Sequence, residues 1–274
     1  VTRIPFVKAH ACGNDFLILE ENQVESLAGN PHAALARKLC SRNTGIGADG
    51  IEFLQRRHHN EFFIRLFNSD GSEAELSGNG TRCVAAWLAA SEGLQTVALG
   101  THGGVRSCRL IRRDGQTFWI ESNMGVPRVM PRTIEIAGVP APIEGVLVNV
   151  GNPHFILFPT TEDFSSQGFT WQQLGAKIAV DQLFPHGTNV EFVRLLSPSE
   201  IAFRIYERGC GPTTSSGTGT CAASTAAIFR HNAARELKAI AEGGAQTVSW
   251  PTNSSEMLLT GPAEIICTGE VDFA

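Results

Sequence analysis

No run in the sequence approaches the ~18 consecutive apolar residues that a membrane-spanning helix requires. The opening residues, VTRIPFVKAH, lack the apolar core and small-residue cleavage site of a secretory signal. A cytoplasmic protein with no membrane partner is therefore expected. Basic clusters are absent too: charges of both signs are spread along the chain, to a formal net charge of −5. That excludes the lysine and arginine stripes that bind polyanions, so nucleic acid is not an expected partner. The seven cysteines (Cys12, Cys40, Cys83, Cys108, Cys210, Cys221 and Cys267) are irregularly spaced and include no C-x-x-C pair. This excludes a disulfide scaffold and a zinc site, and no metal is expected. What remains is a 274-residue chain, 42% hydrophobic, which can bury a substantial core as one large domain or two of about 130 residues.

One phrase occurs twice. SGNGT begins at Ser77 and SGTGT at Ser216, 139 residues later, and an alanine-rich stretch follows each. The same offset recurs elsewhere. IRLFN (Ile64 to Asn68) lies opposite FRIYE (Phe203 to Glu207), and DGIEF (Asp49 to Phe53) opposite TNVEF (Thr188 to Phe192), which sets Glu52 on Glu191. Leu35 and Lys38 face Leu174 and Lys177, while the Gly-Asn of GNDF at Gly13 matches that of GNPHF at Gly151 with the offset slipping to 138. Anchors in one order at one spacing indicate two homologous halves, residues 1–130 and 131–274.

Each half reads as an extended segment ending in Gly-Asn, a helix, two strands, a loop, an alanine-rich helix and further alternating strands with turns. The expected fold class is α+β: two pseudo-symmetric domains, each a mainly antiparallel sheet wrapped around a central Ala-rich helix. CVAAWLAA and CAASTAAI carry few charges, so those helices should be buried. SNMGVPRVMP, punctuated by Gly and Pro, reads as a linker.

Serine is a favoured N-cap, and the glycines after it leave backbone N–H groups unshielded at the positive end of a helix dipole. Such a terminus binds anions. Two of them aimed at one carboxylate would put a side chain on each face of the bound molecule, a geometry for moving a proton across a carbon.

At this point the sequence resembles the diaminopimelate epimerase family along essentially the whole chain. The motifs that carry the resemblance are HACGNDF, NTGIGADG, FNSDGSEAELSGNGTRC, GNPHF, GTNVEF, YERGCGPTTSSGTGTCAA and GPAEIICTGEV. The resemblance implies a two-base epimerase that uses no cofactor, an active site in the cleft between the domains, diaminopimelate as the small-molecule partner and a homodimer. Ser77 and Ser216 fall at the positions of the two bases, with His154 and Glu207 where family members tune their acidity. Gly78, Asn79, Gly217 and Thr218 would bind the α-carboxylate, and Asn14, Asn68, Asn152, Asn189, Glu207 and Arg208 the remote end of the substrate.

The family's bases are cysteines, and both are serine here. A thiol titrates near ~8.5, lower at a helix N-terminus, whereas a hydroxyl ionises far less readily. A serine base needs another group to take its proton, and no lysine or histidine in the sequence is evidently dedicated to either. Three readings fit: a purposeful double Cys→Ser replacement, a divergent natural epimerase, racemase or dehydratase, and a binding protein that has lost the chemistry. Cys12 and Cys210 lie within the active-site motifs, which suggests redistributed thiols or merely small buried side chains. Gly50 stands where the family usually has a side-chain amide.

Overall fold

A computed structural model describes residues 2–24, 29, 31–57 and 61–273. It divides into two compact units, Val1–Ser122 with Thr260–Ala274, and Asn123–Leu259.

The first unit comprises β1 (Thr2–Ala11), β2 (Asn14–Glu20), α1 (Glu21–Val24), α2 (His32–Leu39), β3 (Gly50–Arg56), β4 (Glu61–Asn68), β5 (Glu73–Ala74), α3 (Gly78–Glu92), β6 (Thr96–Thr101), β7 (Gly104–Asp114) and β8 (Thr117–Asn123). The second comprises β9 (Arg128–Ile134), β10 (Ile143–Asn149), β11 (Pro153–Leu157), α4 (Trp171–Ala179), β12 (Asn189–Ser197), β13 (Glu200–Glu207), β14 (Gly211–Thr213), α5 (Gly217–His231), β15 (Glu236–Ala241) and β16 (Gly244–Ser249). β17 (Leu258–Phe273) starts in the second unit and runs back into the first.

In the first unit the sheet runs β17–β1–β2–β3–β4–β6–β7–β8, and β8 pairs with β17 to close it. In the second, β9–β10–β11–β12–β13–β15–β16 follow with the same sequence of antiparallel and parallel pairings. The mainly antiparallel sheet expected from the sequence is therefore present, with two parallel pairings in each unit, β2–β3 and β4–β6, β11–β12 and β13–β15. Parallel neighbours require a crossover, and helices supply it each time: α1 and α2, α3, α4 and α5.

α3 and α5 are the buried helices. Residues 78–86 of α3 and 217–228 of α5 are all buried, and their alanines let the surrounding strands approach closely. Ser77 and Ser216 cap them, each accepting from the amide three residues on, and Gly93 (φ 72°) and Asn232 (φ 50°) end them in the left-handed conformation. α4 carries a full capping box, Thr170 with Gln173.

The unit boundary differs from a division at residue 130. β9 begins at Arg128 and pairs with β10, so only residues 124–127 of the expected linker lie outside strands. That short piece is pinned by hydrogen bonds from Met124 N to Met257 O and from Met257 N to Gly125 O. The first unit in turn takes the end of β17, without which β1 and β8 would be open edges. Among the described residues no helix is long and apolar enough to cross a membrane, and no disulfide joins the cysteines.

Candidate active site

The site residues fall into two groups, one at the N-terminus of each buried helix.

In the first unit, Ser77 Oγ accepts from Gly80 N (3.0 Å) and the Ser77 carbonyl from Thr81 N (2.9 Å). The amides of Gly78 and Asn79 thus lead the helix ahead of its first bonded turn. The Asn79 side chain belongs to a polarised chain of hydrogen bonds. Arg82 Nη2 donates to Asn79 Oδ1 (2.5 Å), Asn79 Nδ2 to Asn14 Oδ1 (3.0 Å), and Asn14 Nδ2 to Asp49 Oδ2 (2.6 Å). A guanidinium closes one end and a carboxylate the other, which fixes the orientation of both amides. Arg42 anchors the acidic end, donating to Asp49 Oδ1 (2.7 Å) and to both oxygens of Asp15. Burial alone would raise the Asp15 carboxyl, but hydrogen bonds from Arg42 and Lys8 outweigh it and hold Asp15 below its usual range.

Asn68 lies at the end of β4, opposite Gly50 of β3, and its amide donates to Ser72 Oγ (3.0 Å) across the following turn. Gly50 is buried with no room for a side chain: a Cβ there would meet Phe67 O at 2.8 Å. The amide the family usually presents from that position is structurally excluded here.

In the second unit, Ser216 Oγ accepts from Gly219 N (3.2 Å), and the hydroxyls of Ser216 and Thr218 are 3.4 Å apart. Asn152 Nδ2 donates to Thr218 Oγ1 (3.4 Å), and its Oδ1 is 2.9 Å from His154 Nε2. His154 is fully buried, its Nδ1 2.7 Å from Oε1 of the equally buried Glu191. The carboxylate partner on Nδ1 orients the ring, and the ring orients Asn152. Burial pushes the Glu191 carboxyl up, and His154 draws it back.

Glu207 accepts from Thr213 Oγ1 (2.5 Å) and interacts with the Ser216 hydroxyl. Burial raises its carboxyl above the ordinary range, and Glu191 adds to the rise. The ionisable group beside Ser216 is thus a carboxyl rather than a lysine or histidine. Asn189 accepts through Oδ1 from Arg208 N (2.9 Å), and Arg208 Nη1 donates to His186 O (3.0 Å), leaving the guanidinium exposed.

Within each unit the structure brings the expected residues together, except that Asn68 is engaged in its own turn. Cys12 is buried in a left-handed turn (φ 52°) between β1 and β2, and Cys210 is exposed in the β13–β14 turn. Glu52, Glu191, Asp49, Arg42 and Arg82 join the site only in the folded chain. The match of DGIEF with NVEF flagged the two glutamates as equivalent, and NTGIGADG contains Asp49, but nothing local marks either as part of a site.

Fold and site together define a duplicated α+β protein with a serine-capped, buried helix terminus in each half. Among solved structures, a Bacillus anthracis phenazine biosynthesis protein of the PhzF family aligns over 100% of both chains at a TM-score of 0.73 and 14% identity. A hydroxyproline epimerase from Agrobacterium vitis aligns over 98% of this chain and 92% of its own, at a TM-score of 0.71 and 15% identity. At those identities the likeness shows the fold. The diaminopimelate epimerase family profile matches residues 6–130 and 146–266. The diaminopimelate epimerase of Desulforudis audaxviator is 36% identical over 282 aligned positions, covering 97% of this chain and 98% of that one. The chain belongs to the diaminopimelate epimerase family.

Proposed function

We propose that the chain interconverts LL- and meso-diaminopimelate by proton transfer between Ser77 and Ser216, the reaction used in lysine and cell-wall biosynthesis. The α-carboxylate is bound by the amides of Gly78 and Asn79 and of Gly217 and Thr218, so both helix termini stabilise the charge that develops when the α-proton leaves. The remote amino-acid group is held by Asn14, Asn68, Asn152, Asn189, Glu207 and Arg208, with Arg208 free to pair bidentately with its carboxylate.

When Ser216 is the base, its Oγ takes the α-proton as its own proton passes to Glu207. Ser77 then gives its proton to the opposite face of the carbanion. Glu207 loses the transferred proton to water and Ser77 regains one, so the cycle is balanced.

The observation that carries this reading is the pair of serine-capped, buried helix N-termini at matching places in the two units, with Glu207 beside Ser216 in the second. The family relationship supports the substrate. Proton NMR of LL-diaminopimelate in D₂O tests it: the protein should exchange the α-proton, and Glu207→Gln should slow exchange by about 100-fold or more. No exchange by the protein, with exchange restored in Ser77→Cys/Ser216→Cys, would mean a binding site without its chemistry. No exchange and no calorimetric binding by either would reject diaminopimelate.

A further inference from the structure

The two halves are not equivalent beneath their helices. Glu52 on β3 pairs across the sheet with Leu66 on β4, and Glu191 on β12 with Ile205 on β13, so the two glutamates hold the same place in the two units. Each lies against the third residue of its helix, Gly80 or Gly219. A Cβ on Gly219 would meet Glu191 Oε1 at 3.0 Å, and one on Gly80 would fall on Glu52 Oε1. Their partners differ. His154 pairs with Asn189 in the β11–β12 ladder, and the residue at that place in the β2–β3 ladder, paired with Gly50, is Phe16. Glu191 therefore has an imidazole at 2.7 Å, whereas neither oxygen of the fully buried Glu52 has a hydrogen-bond partner among the described residues. Glu207 likewise has no acidic counterpart, because Asn68 occupies its place in the repeat.

We propose that Glu52 is a positioning residue of the Ser77 half-site, seated as a neutral carboxylic acid under the first turn of α3, and that this half-site holds its anion only while Glu52 is uncharged. This rests on the reading that the Gly78 and Asn79 amides bind a carboxylate. An unpaired carboxylate buried among apolar groups is costly enough that the group keeps its proton. Burial alone pushes Glu52 up to about 8.

No charged group offsets the effect of burial on Glu52, and neither of its oxygens has a hydrogen-bond partner among the described residues. Ile18 flanks it from β2 and Leu66 from β4. Cys83 on α3 feels the charges of both Glu52 and Arg82, with Cys12 and Asp15 further contributors around that thiol. Arg82 is committed to Asn79, Asp15 to Lys8 and Arg42, and burial keeps the Cys83 thiol protonated. Ionising Glu52 would place a negative charge behind the helix terminus whose dipole draws the substrate carboxylate, and Gly80, whose amide caps onto Ser77 Oγ, is the residue it touches. The half-site would then lose affinity as pH rises through that range.

Carboxyl ¹³C and amide ¹⁵N NMR of the ligand-free protein test this directly, with Glu52 assigned by its loss in Glu52→Gln. Glu52 should titrate near pH 8, and the amides of Gly78, Asn79 and Gly80 should shift with it in the parent but not in Glu52→Gln. Calorimetry with diaminopimelate should show affinity falling by about tenfold more between pH 7 and 9 in the parent than in Glu52→Gln. The ligand's own amino groups titrate equally in both arms. Titration of Glu52 in the ordinary carboxylate range, or amide shifts that persist in Glu52→Gln, would overturn the proposal. So would identical pH dependences of binding. If neither protein binds diaminopimelate at any pH, the substrate reading fails and the ligand-free titration still decides the role of Glu52.

Discussion

A hydroxyl gives up its proton far less readily than a thiol, so what surrounds Ser77 and Ser216 matters more than it would for cysteines. Ser216 has Glu207 beside it; Ser77 has an amide donor and a helix whose Gly80 lies against the buried Glu52. The two serines are chemically distinct residues in matching positions. Around Ser77 the preorganised element is the chain from Arg82 through Asn79 and Asn14 to Asp49. Hydrogen bonds to charged groups contribute roughly 1.5–3 kcal/mol each, so loss of the acidic end should release both amides. Asp49→Asn is expected to weaken diaminopimelate binding by roughly ten- to a hundredfold by calorimetry. The fold should be retained, since the Asp49 side chain is 42% exposed. Unchanged affinity in a folded variant would show that the chain does not orient the site.

At the scale of elements, the glycines of the repeated phrase have a second use besides baring amides. Gly80 is where α3 passes over Glu52, and Gly219 is where α5 passes over Ile205, whose Cδ1 would be 2.5 Å from an added Cβ. Gly80→Ala should therefore cost about 1–3 kcal/mol of stability, even though alanine is the better helix former. Glu52→Ala should remove most of that penalty by making room. A double-mutant cycle by urea denaturation checks it: additive costs would mean that Glu52 is not what the new methyl meets. The helices themselves were legible in the sequence, because serine caps, alanine content and lack of charge are local signals. What their first turns rest on was not, since Glu52 and Glu191 come from strands 28 residues before Gly80 and Gly219, and Ile205 from one 14 residues before Gly219.

At the scale of the molecule, the chain is a duplication whose closing strand is out of order. β17 supplies the strand between β1 and β8, so the first unit contains residues from both ends of the sequence. Removing Thr260–Ala274 should expose those two edges and open the first sheet while leaving the β10–β13 ladder intact. Amide hydrogen exchange should then show protection lost in β1 and β8 and kept in β10 to β13. Retained protection of β1 would show that the first unit closes without this strand.

The sequence by itself determined the duplication, the α+β class, the two buried helices and the family, because each rests on a repeated motif or a local propensity. Most of the candidate site was legible for the same reason: Ser77, Asn79, Ser216, Asn152 and Glu207 all lie in motifs. Only the tertiary structure decided which serine has a carboxyl group beside it, why Gly50 cannot carry a side chain, and that Glu52 lacks the imidazole its twin possesses. Those facts depend on strand register, which sets Phe16 in one unit where His154 stands in the other. A single residue difference across a ladder turns a paired carboxyl into an isolated one, and burial then determines its charge.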